Sequence, residues 1–224
     1  MGKGLELSAI PKTRILRPDE IPHILEVGEF GAVLEWAVSD TKTGKVFEHV
    51  VKKSESYVQQ FLQLLFAQFT MAPSTHKVSV RDTGNTLRDV YAIGSAANNY
   101  LLDVLSGAGV VTFGIVGGTG NAAPTISDYA LGTLIAHGAG AGQLNYGAVS
   151  FGAPASDATT SQLTITRNLA NASGGGITVE EVGLYCRAWD GAARYFMLIR
   201  DVTGGILVPN GQTLTVNYRP QATV

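Results

Sequence analysis

Beyond residue 158 the chain runs in short apolar stretches cut by turn-forming residues. TTSQLTITRNLAN is followed by SGGG, ITVEEVGLYCRAW, DGAA, RYFMLIRDVT, GG and ILVPNGQTLTVNYRP. Runs rich in β-branched and aromatic residues, punctuated by Gly, Asp, Asn and Ser, predict successive antiparallel strands joined by tight turns. Within ITVEEVGLYCRAW, Val182, Leu184, Cys186 and Ala188 share one strand face, and Gly183, Tyr185, Arg187 and Trp189 share the other. Asn210-Gly211, between ILVP and QTLTV, predicts a hairpin turn.

Upstream, AVLEWAV (32–38) and KVFEHVVK (45–52) flank SDTKTG and predict a hairpin. Ser54 is placed to cap a helix running to Phe69 and ended by Ala72-Pro73. Tyr57, Phe61, Leu64, Leu65 and Phe69 recur at helical spacing, and Val58, Leu62 and Phe66 widen the apolar face. Gln59, Gln60, Gln63 and Gln68 remain as polar cover, and no charge falls between Tyr57 and Phe69. Such a helix is expected to be buried on most of its circumference, in a core or an interface. KVSVRDTGNTLRDVYAI predicts two short strands about DTGN, and VVTFGIV (110–116) another. Ser127 is placed to cap a short helix in DYALGTLI, and Leu144 to Phe151 resumes as strand.

Residues 1–30 contain Pro11, Pro18 and Pro22 with no sustained period, which predicts an extended arm. Ile10, Ile15, Leu16, Ile21, Ile24 and Leu25 make it too apolar for a solvated tail, so it should lie on its own domain or on a neighbour. The expected fold is mainly β: an antiparallel β-sandwich, jelly-roll or immunoglobulin-like, with an extended N-terminal arm, a β-hairpin and one apolar helix. The arm spans 1–30, a hairpin-plus-helix attachment module 31–73, and the sandwich 74–224.

Composition sharpens this picture. Charged residues make up 15% of the chain and Gly 27 of 224 residues, against about 25% and about 7% in ordinary soluble domains. So sparse a charge implies a surface covered by neighbouring subunits. A net charge of −2 offers no general grip on nucleic acid. No apolar run approaches the roughly 18 residues of a membrane span, so no membrane partner is expected. The N-terminal stretch lacks a signal-peptide apolar core, which predicts assembly inside a cell. Cys186, the one cysteine, reads as a buried, inert thiol.

Candidate chemistry is thin. Gly118-Thr119-Gly120-Asn121-Ala122-Ala123 has the form of a dinucleotide fingerprint, but Pro124 interrupts the helix that such a loop must open. A loop whose glycines let backbones pass closely is the expected role, with no cofactor. His23, His49, His76 and His137 lack metal-ligand spacing, and His49 reads as a hydrogen-bonded structural residue. No nucleophile motif occurs, so no enzymatic activity is expected. Charges do gather near the predicted strands: Arg167, Glu180, Glu181, Arg187, Arg200 and Asp201. At least one of Arg167 and Arg200 should contact Glu181 or Asp201 in an ion-pair network.

GTGNAAPTISDYAL (118–131), TITRNLANASGGGITVEEVGLY (164–185), FMLIRDV (196–202) and VPNGQTLTVNY (208–218), in that order, resemble structural proteins encoded in the morphogenesis modules of tailed bacteriophages. KVFEHVVKKSESYVQQFLQLL resembles the usual lead-in of that family, so the similarity spans most of residues 32–220. Leu169 departs from it, standing where the family tends to have an aromatic residue. The resemblance implies a virion component, assembled in the host cytoplasm, with no catalytic residues to carry over. Its partners would be itself and other virion proteins such as the major capsid protein. Capsid decoration or cementing is the leading expectation, with a neck or tail position or a receptor- or carbohydrate-binding tail-fibre module as alternatives. The assembly interface would use Ile15, Leu16 and Ile21 of the arm with Tyr57, Phe61 and Leu65 of the helix. A glycan site would use Tyr146, Trp189 and Tyr195.

Overall fold

Alternation along one long strand sets the layout. In β1 (Phe30–Asp40), Ala32, Leu34, Trp36 and Val38 turn into the main core, while Glu35 and Ala37 lie on the opposite face. β1 pairs along its whole length with β13 (Gln212–Thr223), from Phe30 opposite Ala222 to Asp40 opposite Gln212. The computed structural model describes residues 25–54, 57–70, 77–91 and 101–224. Ile15, Leu16 and Ile21 lie outside these residues, as do most of the arm and His23 and His76.

The first sheet continues outward from that pair. β2 (Val46–Lys53) flanks β1, and β10 (Ile165–Ala170) flanks β13 on the other side, followed by β6 (Asn145–Tyr146). Short pieces complete it: β7 (Ser150–Phe151) on β10, β9 (Thr160–Gln162) on β13, and β8 (Ala155–Ser156) on β9. The second sheet has the order β12 (Ala193–Val208), β11 (Ile177–Trp189), β5 (Gly114–Gly118). A small hairpin, β3 (Val78–Arg81) with β4 (Leu87–Val90), and the helix α1 (Gln59–Phe69) complete the described elements. The chain is mainly β, with antiparallel sheets, a single helix and a sandwich-like arrangement among the described residues. Leu34, Leu214 and Val216 of the first sheet share one apolar core with Leu184, Phe196 and Ile206 of the second.

Several local expectations are corrected. The segment read as an attachment module does not stand apart, because β1 lies within the first sheet and supplies its core residues. Asn210-Gly211 does not close a hairpin, since β12 and β13 belong to different sheets. Gly211 adopts φ 83° and donates its N–H to Asn171 O, while Asn210 Oδ1 accepts from Gly174 N. The turn is thereby clasped to the Gly-rich crossing between β10 and β11. Local turn chemistry specifies a positive φ, not the strand that pairs afterwards. Gly204-Gly205 is likewise no turn but a bulge inside β12: Val179 opposes Ile206 and Glu181 opposes Val202, so three residues face Glu180.

Helix expectations also shift. Val58 takes the N-cap position without a side-chain cap, and the first amides are held by backbone instead, Val58 N on Leu198 O and Gln59 N on Ile126 O. Ser54 turns away and donates to Asp201 Oδ2. DYALGTLI forms no helix, because its amides are taken by distant partners. Leu131 N donates to the Tyr185 hydroxyl, Thr133 N to Glu181 Oε1 and Ile135 N to Gly117 O. The 110–116 strand is shifted to Gly114–Gly118, the stretch that lies against β11.

Candidate functional site

Around α1 the sandwich is open. A cleft of about 690 Å³ separates the sheets there. Phe30, Ile165 and Pro220 of the first sheet and Leu184 and Ile199 of the second form its floor and sides. Tyr57, Phe61, Leu65 and Phe69 form the helix wall, and residues 102–105 close the far side. Three of the expected interface residues, Tyr57, Phe61 and Leu65, are therefore brought together.

Helical periodicity divides α1 into faces. Gln60, Leu64 and Ala67 turn inward and are buried, although Gln60 was expected as polar cover. Phe61 and Leu65 face the cleft. Leu62, Phe66 and Phe69 project into solvent, 63%, 59% and 77% exposed. The helix is thus not buried on most of its circumference within one chain, because sheet and hairpin cover only its inner ridge. Tyr57 packs tilted against Phe61 at 4.4 Å between ring centres and stacks on Phe30 at 5.8 Å, while its hydroxyl donates to Gly31 O. Burial pushes the Tyr57 pKa up, with the Asp201 charge adding to it.

Among the described residues Asp103 is the one charged residue lining the cleft, and it is committed. Its Oδ2 accepts from Arg187 Nε at 3.0 Å and Nη2 at 2.6 Å. A small-molecule site of this volume orients its ligand with a few converging polar groups. Among the described residues the lining is almost wholly apolar and its polar groups, the Asp103 carboxylate and the Tyr57 hydroxyl, have partners, so the cleft is suited to apolar side chains.

Arg167, Glu181, Arg200 and Asp201, expected as one ion-pair network, fall into three separate arrangements. In the first, Arg200 Nε donates to Glu181 Oε2 at 2.8 Å, and its Nη1 to Asp128 Oδ2 at 2.6 Å. Glu181 is fully buried, and its Oε1 accepts from Gly120 N and Thr133 N. A Cβ on Gly118 or Gly120 would stand 2.6 or 2.5 Å from that oxygen. The Gly-rich loop therefore does approach an anion closely, and the anion is a carboxylate from β11. Burial acts to lower the Arg200 pKa, but bonds to Asp128 and Glu181 outweigh it and hold it above its ordinary value.

Asp201 lies apart from this pair. It is buried beside Tyr218, whose hydroxyl donates to its Oδ2 at 2.9 Å and crosses from the first sheet to the second.

Arg167 joins neither acid. It stands between Ile165 and Leu169 on the inward face of β10, fully buried. Its guanidinium donates to the carbonyls of Gly147, Phe113, Ile115, Gly107 and Val110. It also lies 4.9 Å from the Tyr146 ring centre. Burial lowers its pKa to about 10, which leaves it charged at neutral pH. One side chain thus anchors the 107–115 segment to the first sheet.

A further cluster was anticipated only at His49, read from the sequence as a hydrogen-bonded structural residue. Glu35, buried on the outward face of β1, accepts from His49 Nε2 at 2.6 Å, from Asn217 Nδ2 at 2.7 Å and from Arg219 Nη2. Burial acts to raise the Glu35 pKa, but the bond from His49, the Arg219 charge and the Asn217 bond outweigh it and hold it low. The available signal was a lone Glu in the apolar run AVLEWAV, which must find partners wherever that strand is covered on both faces.

The remaining candidates do not converge. His137 Nδ1 accepts from Tyr146 N, and no group of three or more His, Cys, Asp or Glu among the described residues is placed to hold a metal. Cys186 is buried, with its pKa raised by burial first. Tyr146 is buried and donates its hydroxyl to Ile135 O, which removes it as a sugar platform. Trp189 and Tyr195 are half-buried, and Tyr195 stacks on Phe113. Comparison with protein-family profiles, with curated proteins and with solved structures finds no match to this chain.

Proposed function

We propose that this chain is a non-enzymatic structural subunit of a tailed phage particle, residing in the virion and decorating or cementing the capsid through subunit contacts. The observation that carries the assembly role is the apolar cleft, with Phe69 exposed at its rim and Leu62 and Phe66 exposed beside it. Contiguous exposed apolar surface of this kind marks sites of protein association. The buried charged groups of the Glu181 and Arg167 sites are bonded internally and serve the fold. The ordered motifs between Gly118 and Tyr218 supply the phage reading.

The test is to express the chain from a tailed-phage genome, purify the particles, and examine them by mass spectrometry and immunogold labelling. Many copies per particle with label on the capsid are expected. Label at the neck or tail tip would move the subunit within the virion, and absence from purified particles would overturn the reading.

A further inference from the structure

We infer that the α1 cleft receives a second copy of this chain, in a two-fold dimer whose helices lie across one another's clefts. The inference rests on reading this surface as an assembly interface, and it names the occupant.

Recess and ridge occur on the same face. Phe61 and Leu65 line the cleft with Phe69 at its rim, and one step around the helix Leu62 and Phe66 project into solvent. A two-fold axis brings the same patch of both copies together, so a patch bearing both a recess and a ridge is complementary to itself. Each copy would seat its ridge in the recess of the other.

Charge selects the same occupant. Near a two-fold axis every charge approaches its own like, and like charges facing each other across an interface cost several kcal/mol. Helix α1, QQFLQLLFAQF, contains no Asp, Glu, Lys or Arg. Gln60 is buried, and the amides of the helix's other glutamines both donate and accept, so they meet their own copies without repulsion. Asp103, the one acid among the described residues lining the cleft, is neutralised by Arg187. Among the described residues of this surface a charged partner would find no unpaired charge to recognise, whereas an identical surface meets no repulsion.

Sedimentation equilibrium tests this with the full chain and the Leu62→Glu/Phe66→Glu double variant, each checked for native circular dichroism. The full chain is expected at twice the 23.5 kDa of one chain. The variant is expected as a folded monomer, its dimer weakened at least about 100-fold because each substitution acts twice. Should the double variant not fold, Phe66→Gln alone carries the same expectation. A wild-type monomer at 100 µM, a trimer or ring, or a dimer indifferent to the substitutions would each overturn the inference. A monomer that still enters particles would remove the two-fold contact and leave the virion role standing. A dimer absent from particles would do the reverse.

Discussion

The Gly118–Gly120 loop and the α1 cleft belong to one sandwich and are finished in opposite ways. At the loop, a buried carboxylate, a buried guanidinium and backbone amides bond one another, and a Cβ on Gly118 or Gly120 would collide with Glu181. At the cleft, apolar walls stand open and three large side chains of α1 project into solvent. A region whose polar groups are all engaged has nothing left to offer a ligand, however much its sequence resembles a binding loop. A region whose apolar groups lack cover still has free energy to gain from a neighbour. The first holds the fold together, and the second is the surface we propose for assembly.

That contrast predicts the largest stability losses at the charged sites. Glu181→Ala would leave Arg200 buried without its inner partner, and Gly120 N and Thr133 N without an acceptor. A loss of about 3–5 kcal/mol is expected in urea denaturation. Arg167→Lys keeps the charge but replaces the planar fork with a single ammonium, leaving several carbonyls unbonded. About 2–3 kcal/mol should be lost, and a change below 0.5 kcal/mol would remove Arg167 as the anchor of the 107–115 segment. Gly120→Ala should cost about 1–3 kcal/mol by forcing the loop off Glu181.

Acid should act in the same direction and less sharply. Glu35 and Asp128 both have folded-state pKa values held below their ordinary ones. At Asp128 burial opposes this, and the bonds from Thr125 and Arg200 prevail. Groups with depressed pKa values contribute stability that is complete above their unfolded pKa, near 4, and lost as pH falls through the folded value. Melting temperature should therefore hold from pH 7 to about 5 and fall below about 4. Glu35→Gln should lower stability at neutral pH, since Arg219 Nε and Nη1 already lack partners, and should also shrink the acid-induced fall. An unchanged acid profile would exclude Glu35 as a contributor.

The strands were legible because alternation and turn residues are local properties. The β1–β2 hairpin, the β3–β4 hairpin and the long β11 follow directly from apolar spacing, whereas β12 runs on through the Gly204-Gly205 break that the sequence reads as a turn. The pairing beyond Asn210-Gly211 was not legible, because the same dipeptide serves a hairpin or a passage between sheets. DYALGTLI failed for a related reason: the Tyr185 hydroxyl, the Glu181 carboxylate and Gly117 O take the amides a helix would need. The charged residues of the ion-pair reading were visible, but their sorting was not. Arg200 meets Glu181, Asp201 meets Tyr218, and Arg167 meets only carbonyls and a ring among the described residues. The helix half of the candidate interface could be read from apolar spacing, whereas the cleft needs both sheets in place before it exists.

The smallest expected stability change carries the most weight. Phe66 is 59% exposed, so Phe66→Glu should alter the melting free energy by no more than about 0.5 kcal/mol. Light scattering on this variant beside the wild type tests the division between the two regions most directly. The account predicts a native melting curve with a fall in mass from an assembled species to one chain. An assembled mass that persists, or a collapse of the melting curve, would contradict it.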